Sequence, residues 1–141
     1  MTNRTLAIIK PDAVKNNYTG KIYDKILSSN FKIIAAKLIK LSLLQAQGFY
    51  EIHRDKPFFD ELTQFMSSGK CMVLVLEKNN AVTDWRNTIG ATNPKEANES
   101  SIRYNFAKSV GENAVHGSDS DENAKKEIYY FFSESELINN Q

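Results

Sequence analysis

The apolar positions of this chain fall into short continuous runs, separated by segments in which apolar residues recur at helical spacing. The runs from Thr5 to Ile9 and from Cys71 to Leu76 predict buried strands, and the second is the most apolar stretch of the chain. The segment from Phe31 to Ile39 is rich in β-branched residues and predicts another strand. Because proline cannot continue a central strand, Lys10-Pro11-Asp12 predicts a polar turn after the first run.

Helical spacing and cap signals predict the helices. We expect them over Gly20–Leu27, Leu43–Ile52, a segment starting at Asp55-Lys56-Pro57 with Pro57 in the first turn, Ala81–Ile89 and about Asp121–Phe132, with a helical turn or two within Arg103–Val110. Gly90 is placed to end the fourth of these, and Ser118 to Asp121 offer N-cap candidates for the last. Strands and helices are interspersed, so the pattern favours an α/β or α+β class and leaves the strand order open.

Two segments depart from this periodicity. From Gly90 to Ile102 the chain is polar and aperiodic, and at roughly a dozen residues it is long for a connection in a compact domain. Such loops are often functional. Ala114-Val115-His116 is a short apolar run that Gly117 breaks.

Composition narrows the classes of function. The 141 residues predict a single domain spanning 1–141. A net charge of +1 and a pI near 7.8 give no bulk charge for nucleic acid or an anionic membrane, so local Lys and Arg must bind any polyanion. Cys71 is the only cysteine, which excludes an intrachain disulfide and a thiolate metal cage. We find no secretory signal and no apolar run near the ~20 residues that span a bilayer, and therefore expect a cytoplasmic protein.

His116 is the better of two candidates for histidine chemistry. A capped helix follows it, and the positive N-terminal end of a helix favours a phosphate nearby and a neutral imidazole. Glu127 on that helix is a candidate to fix the ring's tautomer, and Ser118 is a polar group that could donate to a leaving oxygen. The alternative is a histidine that is simply buried, with Ser118 and Asp119 serving as caps. His53 fits a solvated helix end.

A motif around His116 resembles a known family. The segment Asn113-Ala114-Val115-His116-Gly117-Ser118-Asp119-Ser120 is similar to the active-site signature of the nucleoside diphosphate kinases, Asn-x-x-His-Gly-Ser-Asp. The resemblance covers Thr5 to about Leu137, and four further segments follow in the family's order: Ile9-Lys10-Pro11-Asp12, Lys56-Pro57-Phe58-Phe59, Gly90-Ala91-Thr92-Asn93-Pro94 and Ile102-Arg103.

The resemblance implies a fold and a reaction. The fold is α+β: a ferredoxin-like, four-stranded antiparallel sheet with helices on its faces, extra helices and a long surface loop, here Thr92–Ser101. The reaction is a two-step exchange that maintains the pools of nucleoside and deoxynucleoside triphosphates. His116 takes the γ-phosphoryl group of ATP or another triphosphate on its pros nitrogen, and a second nucleoside diphosphate then removes it. Mg²⁺ is expected to arrive with the nucleotide, because we find no dedicated carboxylate cage.

The resemblance also implies roles for residues that bind the phosphates and the sugar. Lys10 would lie against the transferring phosphate and the sugar hydroxyl, and Arg86 and Arg103 would clamp the phosphates through paired guanidinium donors. Thr92 would add a hydroxyl to the same phosphates, and Asn113 would bind the ribose. Without the resemblance, each fits an ordinary strand-end, helix, loop or turn position.

The remaining implied roles belong to the base and to the ring of His116. Phe58 and Val110 would sandwich the base, and Leu62 would add a further contact. Stacking accepts any base, which accounts for broad base acceptance. The alternative for Phe58, Leu62 and Phe65 is a core stripe at helical spacing. Tyr50 is similar to a family tyrosine near the catalytic histidine, and its alternative is a half-buried helix tyrosine.

Two other functions are compatible with a fold of this kind. An RNA-binding domain on the same core would need paired sheet aromatics and a basic face, which the sequence lacks. A homologue without catalysis is disfavoured because Lys10, His116 and Glu127 occur together.

Members of the family form homo-oligomers, and the sequence does not choose between tetramer and hexamer. The unusual residues Phe49, Ala91, Glu99-Ser100 and Tyr104-Asn105 affect loop stability and subunit packing, and Asn139-Asn140-Gln141 is expected to fray.

Overall fold

The computed structural model describes residues 3–138, so the expected fraying of Asn139-Asn140-Gln141 lies outside the described residues. The strands are β1 (Arg4–Ile9), β2 (Lys32–Lys40), β3 (Lys70–Glu77) and β4 (Val115–Gly117). The α-helices are α1 (Pro11–Lys15), α2 (Thr19–Ser28), α3 (Leu43–Phe49), α4 (Phe59–Met66), α5 (Ala81–Ile89), α6 (Ile102–Phe106) and α7 (Asp121–Phe131). Short 3-10 helices cover Glu51–His53, Pro94–Glu96 and Glu134–Leu137.

The strands form one antiparallel sheet in the order β2-β3-β1-β4. Since β1 and β2 both pair with β3, they run parallel to each other, and the chain between them carries α1 and α2. In the same way β3 and β4 both pair with β1, and α5 and α6 lie between them. Two interleaved β-α-β units of this kind make the ferredoxin-like arrangement, which confirms the expected α+β fold.

Helices cover both faces of the sheet. Leu6 and Ile8 of β1 point into a core with α3, α4 and α7, whereas Ala7 and Ile9 point into a second core with α2, α5 and α6. All four side chains are fully buried. A strand buried on both faces has no polar side to display, which is why the sequence shows a continuous apolar run in β1 and again in β3.

Three local expectations were wrong. The segment after β1 is not only a turn, because Pro11 begins the short helix α1, where its missing N–H and fixed φ suit the first helical position. The helix predicted to start at Asp55-Lys56-Pro57 is α4 and starts at Phe59, because two four-residue turns, from His53 to Lys56 and from Lys56 to Phe59, precede it. Gly117 does not break the run before it but belongs to β4.

The other helix boundaries are close to expectation. Helix α3 ends at Phe49 rather than Ile52, and a 3-10 turn follows it. The loop from Thr92 to Ser101 contains one short 3-10 turn that buries Pro94. Among residues 3–138, no helix is long and apolar enough to cross a membrane.

Candidate active site

His116 lies in the middle of β4, on the edge of the sheet. Its Cα is opposite Ile8 in the register with β1, and the indole N–H of Trp85 donates to its carbonyl oxygen at 3.0 Å. Trp85 packs against β4 at Gly117, the residue after His116. A Cβ at that glycine would lie 2.8 Å from Cδ1 of Trp85. A residue without a side chain is therefore needed for β4 to pass beneath Trp85. The backbone of His116 is fixed from both sides.

Glu127 of α7 holds the His116 ring. Its Oε1 lies 2.8 Å from Nε2 of His116 and accepts a second hydrogen bond, also 2.8 Å, from the Ser118 hydroxyl. The helix that carries Glu127 is capped by Ser120, whose hydroxyl accepts from the backbone N–H of Asn123. The cap predicted from the sequence is confirmed at this residue.

Ser118 is fully buried and has a different geometry from the one expected. Its single proton goes to Glu127, and its oxygen accepts from the backbone N–H of Leu6 at 3.3 Å. It therefore has no proton left to offer a leaving oxygen. Its contacts fasten the Glu127 carboxylate to β1.

These contacts fix the tautomer of the His116 ring. A carboxylate only accepts, so Nε2 carries the proton and Nδ1 carries the lone pair. Within the described chain, Nδ1 has no hydrogen-bond partner. Burial lowers the pKa of His116 below its usual 6.5, and Lys10 and Arg103 act in the same direction against the raising effect of Glu127. The ring is therefore neutral at pH 7, as a nucleophile requires.

Two aromatic rings restrict the orientation of the imidazole. The rings of Phe49 and Tyr50 meet it edge to face at centroid distances of 5.4 and 6.3 Å. Phe49 also packs against Tyr50, Tyr130 and Phe131, so it is the centre of a ring cluster. The Tyr50 hydroxyl is buried, and among residues 3–138 it has no hydrogen-bond partner. Burial raises the pKa of Tyr50, so the phenol is neutral.

A cleft in two connected chambers opens in front of His116. The chamber next to the ring has a volume of about 380 Å³, and a neighbouring one has about 730 Å³. The residues shared by both are Lys10, Phe58, Leu62 and Thr92. Of the other predicted residues, the first chamber is lined by Tyr50, Arg86, His116 and Glu127, and the second by Val110 and Asn113. The expected site residues thus converge, apart from Ser118 and Arg103, which lie behind the cleft wall.

Two cationic side chains, Lys10 and Arg86, line the first chamber. The Lys10 ammonium donates to Oδ1 of Asn113 at 2.8 Å, and burial with help from nearby Arg103 lowers the pKa of Lys10 to about 8. Arg86 on α5 is exposed to the cleft and has no ion pair within the part of the chain that the structure describes. An unpaired positive cluster in a partly buried cleft is a ready site for an anion such as a phosphate.

Arg103 connects two segments of the chain through its guanidinium. Its guanidinium donates to the backbone carbonyls of Gly90, Asn113 and Val115 at 3.0, 3.4 and 2.9 Å. It therefore ties the loop after α5 to the segment leading into β4. Burial and the neighbouring Arg86 lower its pKa to about 10, so it stays charged at pH 7. Three of its five N–H groups are used and the guanidinium lines neither chamber, so it reaches the cleft through its charge and not through a direct contact.

A tight turn precedes β4. Ala114 has φ of 72°, a conformation that side chains rarely adopt, and the N–H of Val115 donates to the carbonyl of Asn113 at 2.8 Å across it. The Ala114 N–H donates to Oδ2 of buried Asp12 at 3.1 Å, and its carbonyl accepts from the backbone N–H of Lys10 at 2.8 Å. Helix α1 thus holds the strained turn that places Asn113 and His116.

The sequence alone missed several residues of the cleft. Phe49, Ile52, His53, Gly117 and Asp119 line the first chamber, and Glu61, Phe65, Ser109, Gly111 and Glu112 line the second. The ring of His53 lies between Tyr50 and Phe58, with centroids at 6.3 and 5.6 Å, so it is more than a solvated helix end. Phe58, Glu61, Leu62 and Phe65 have helical spacing, which could have indicated a common face.

The cleft has few carboxylates suited to a metal ion. Throughout residues 3–138, no group of three or more His, Cys, Asp or Glu side chains is arranged to hold one. Asp119 is the exposed carboxylate that lines the first chamber, and its Oδ1 accepts from the Asn123 amide at 2.7 Å. A metal here would need most of its oxygen ligands from a bound molecule or from water.

Comparison with known proteins gives a consistent result. Residues 3–137 match the family model described as NDK, nucleoside diphosphate kinase. A nucleoside diphosphate kinase of Wolbachia sp. subsp. Drosophila simulans is 58% identical over 135 residues, covering 96% of this chain and 97% of that relative.

Solved structures agree in fold. The Aquifex aeolicus nucleoside diphosphate kinase superposes with a TM-score of 0.95 at 42% identity, covering 96% of this chain and 99% of that one. A Halobacterium salinarum nucleoside diphosphate kinase in complex with CDP gives a TM-score of 0.93 at 31% identity, covering 100% and 94%.

Proposed function

Because the chain belongs to the nucleoside diphosphate kinase family and has that family's activity, we propose that Nδ1 of His116 carries the phosphoryl group between nucleotides. The observation that carries this proposal is the hydrogen bond from Nε2 of His116 to Glu127. It leaves a lone pair on Nδ1 of a neutral ring, and His116 lines the cleft.

The chemistry is a balanced exchange. The Nδ1 lone pair forms a bond to the γ-phosphorus of a nucleoside triphosphate as the bond to the bridging oxygen breaks, and the nucleoside diphosphate leaves with that oxygen. The ring becomes positive as the N–P bond forms, and the ionised Glu127 offsets this charge through the Nε2 proton. An oxygen of the acceptor diphosphate then attacks the same phosphorus and restores the neutral ring. The second step re-forms the kind of phosphoanhydride bond that the first step breaks, so the free-energy change of the overall reaction is close to zero.

The phosphates would lie in the first chamber, between Lys10 and Arg86. We assign Lys10 and Arg86 to the γ- and β-phosphates, with the Thr92 hydroxyl as a further donor and Arg103 adding its charge from behind the wall. The Asn113 side chain accepts a hydrogen bond from Lys10, which supports placing the ribose beside Asn113. These groups neutralise charge without moving, which is how phosphoryl transfer is mainly catalysed.

The nucleobase would occupy the larger chamber. Phe58, 48% exposed, and Val110, 55% exposed, offer apolar surface that a stacked base would cover, and Leu62 lies on the same wall as Phe58. A relative from Halobacterium salinarum is in complex with CDP, which supports a nucleotide as the ligand of this chain. Contacts to the faces of the base do not select among bases.

We further propose that Mg²⁺ accompanies the nucleotide. Of the two carboxylates that line the first chamber, Glu127 already accepts from His116 and Ser118, which leaves Asp119, so the donor set fits a metal held chiefly by phosphate oxygens. When bound, the ion would reduce the negative charge of the phosphates.

We also propose a homo-oligomer in the cytoplasm. Strand β2 is an edge strand, and Leu38 on it is 52% exposed, a combination that suits burial against another copy. Light scattering decides between tetramer and hexamer. The cytoplasm is supported by Cys71, a buried free thiol and the only cysteine.

The carrier hypothesis has a direct kinetic test. A covalent carrier predicts parallel double-reciprocal plots when the initial rate with ATP as donor is measured at several fixed concentrations of CDP, because each half-reaction is complete in itself. A direct transfer between two bound nucleotides would give intersecting lines and would overturn the proposal. The alternative of a homologue without catalysis has no support in the site, where Lys10, His116 and Glu127 meet.

A further inference from the structure

One wall of the larger chamber is a single face of helix α4. Phe58, Glu61, Leu62 and Phe65 line it at positions i, i+3, i+4 and i+7, which bring their side chains together along the helix. Glu61 thus lies one turn beyond Phe58, the proposed platform for the base. An acidic side chain one helical turn from an apolar platform is within reach of the edge of a base stacked on that platform.

The carboxylate of Glu61 is uncommitted. It is exposed, and no hydrogen bond or ion pair engages its side chain anywhere in residues 3–138. Across the chamber, Glu112 also lines the wall and its carboxylate is free in the same sense. Lys10 is the only cation that lines this chamber within the described chain, and Asn113 already binds its ammonium. The charged groups at the base end are therefore hydrogen-bond acceptors.

Nucleobases differ in what they offer to an acceptor. Guanine presents two adjacent donors, N1–H and the exocyclic amino group, which match both oxygens of one carboxylate. Adenine and cytosine present an amino group beside an unprotonated ring nitrogen. Uracil and thymine present one N–H between two carbonyl oxygens, which a carboxylate repels. A carboxylate at the edge of the base therefore ranks guanine first and uracil or thymine last.

We propose that Glu61 is a specificity-determining residue that favours guanine nucleotides over uracil and thymine nucleotides. The proposal rests on the proposed function, because it takes Phe58 as the platform on which the base stacks. Stacking gives acceptance of every base, and Glu61 adds a bias on top of it. Because the edge of the base is equally engaged before and during transfer, the bias acts on nucleotide binding and not on the maximal rate.

The test compares acceptor nucleotides on preformed phosphoenzyme. GDP or UDP is mixed with the phosphorylated protein, and the rate of dephosphorylation is followed against nucleotide concentration. Glu61→Gln keeps the shape of the side chain and removes the charge, so we expect the GDP-to-UDP ratio of second-order rate constants to fall about fivefold, through half-saturation and not maximal rate. An unchanged ratio overturns the proposal.

Two further variants separate the possible causes. Asp60→Asn removes the same charge from the neighbouring exposed position, which does not line the chamber, so its ratio should equal that of the unaltered protein. If Asp60→Asn lowers the ratio as much as Glu61→Gln, a general field is responsible and the proposal fails. Phe58→Ala should weaken binding of both nucleotides. If it does not, the base lies elsewhere and both the placement of the base and the role of Glu61 are wrong, whereas an effect of Phe58→Ala alone removes only the role of Glu61.

Discussion

Oε1 of Glu127 lies 2.8 Å from Nε2 of His116, so a carboxylate on helix α7 fixes the ring of a histidine on strand β4. The two residues are 11 positions apart, and they meet because α7 packs back over the sheet immediately after β4. This contact decides the tautomer of His116, and the chemistry proposed for the cleft depends on it.

Removal of the Glu127 carboxylate should slow phosphorylation of His116. Without an acceptor at Nε2, the proton is free to occupy Nδ1, and the positive charge that develops on the ring is no longer offset. We expect Glu127→Ala to reduce the single-turnover rate with ATP by a factor of roughly 10². Glu122→Gln on the exposed side of α7 is the control, since its partner there is Lys126. An unchanged rate in Glu127→Ala would remove the carboxylate from the mechanism.

The pH dependence should reflect two lowered pKa values. Burial lowers the pKa of His116, so phosphorylation should decline, as the ring gains a proton, only at pH values below the range in which an ordinary histidine titrates. The pKa of Lys10 is about 8, so its ammonium is lost as pH rises through that value. We expect kcat/KM for ATP to fall above about pH 8 because a phosphate contact weakens.

Lys10→Arg isolates the alkaline part of this profile. Arginine keeps its charge throughout this range, so the variant should lose the decline above pH 8 even if its activity is lower overall. Initial rates across pH 5 to 10 measure both effects. If the alkaline decline persists in Lys10→Arg, another group causes it.

Phe49 should act on the ring of His116 through packing. Replacement by leucine removes the edge-to-face contact at 5.4 Å and opens space beside the imidazole. The ring can then turn about its hydrogen bond to Glu127. Because the ring is then less well oriented, we expect phosphorylation to slow by about three- to tenfold. Water gains access as well, so the pKa of His116 should rise towards 6.5 in an NMR titration. Leu44→Ala, at an exposed position on the same helix, should change neither quantity.

Gly117 should be intolerant of any side chain. A Cβ there would lie 2.8 Å from Cδ1 of Trp85, so Gly117→Ala must displace β4 or the indole. We expect a loss of about 1–3 kcal/mol of unfolding free energy in urea titrations. The matched variant Gly20→Ala has open space around the new methyl group in helix α2 and should be stabilised by up to about 1 kcal/mol. Equal stability of the two variants would mean that Trp85 gives way freely.

Much of the fold follows from local pattern. The continuous runs of β1 and β3 predicted buried strands, and Ser120 capped the last helix as its residue type suggests. The strand order was not available in the same way, because the pairing of Ile8 with His116 joins residues that are far apart in sequence. Only the family resemblance supplied that order.

The candidate site, like the fold, could be predicted only in part from the sequence. The local pattern made His116 a plausible neighbour of a helix N-terminus, and the resemblance supplied its partners in the cleft. Neither the local pattern nor the resemblance indicated that the Ser118 hydroxyl donates to Glu127, or that the Arg103 guanidinium donates to three backbone carbonyls. Such contacts depend on how buried elements cross in space. The residues Phe49 and Glu61 were missed because their roles come from neighbours on the cleft wall rather than from a motif.

The most direct test of the central claim is the position of the phosphoryl group after reaction with ATP alone. The account predicts a phosphoenzyme that is stable to alkali and labile to acid, with the group on Nδ1 of His116 by ³¹P NMR and peptide mass spectrometry. His116→Gln should form none, whereas His53→Gln should still be phosphorylated on His116. Phosphate on any other residue of the unaltered protein, or persistent nucleotide exchange by His116→Gln, would contradict the account.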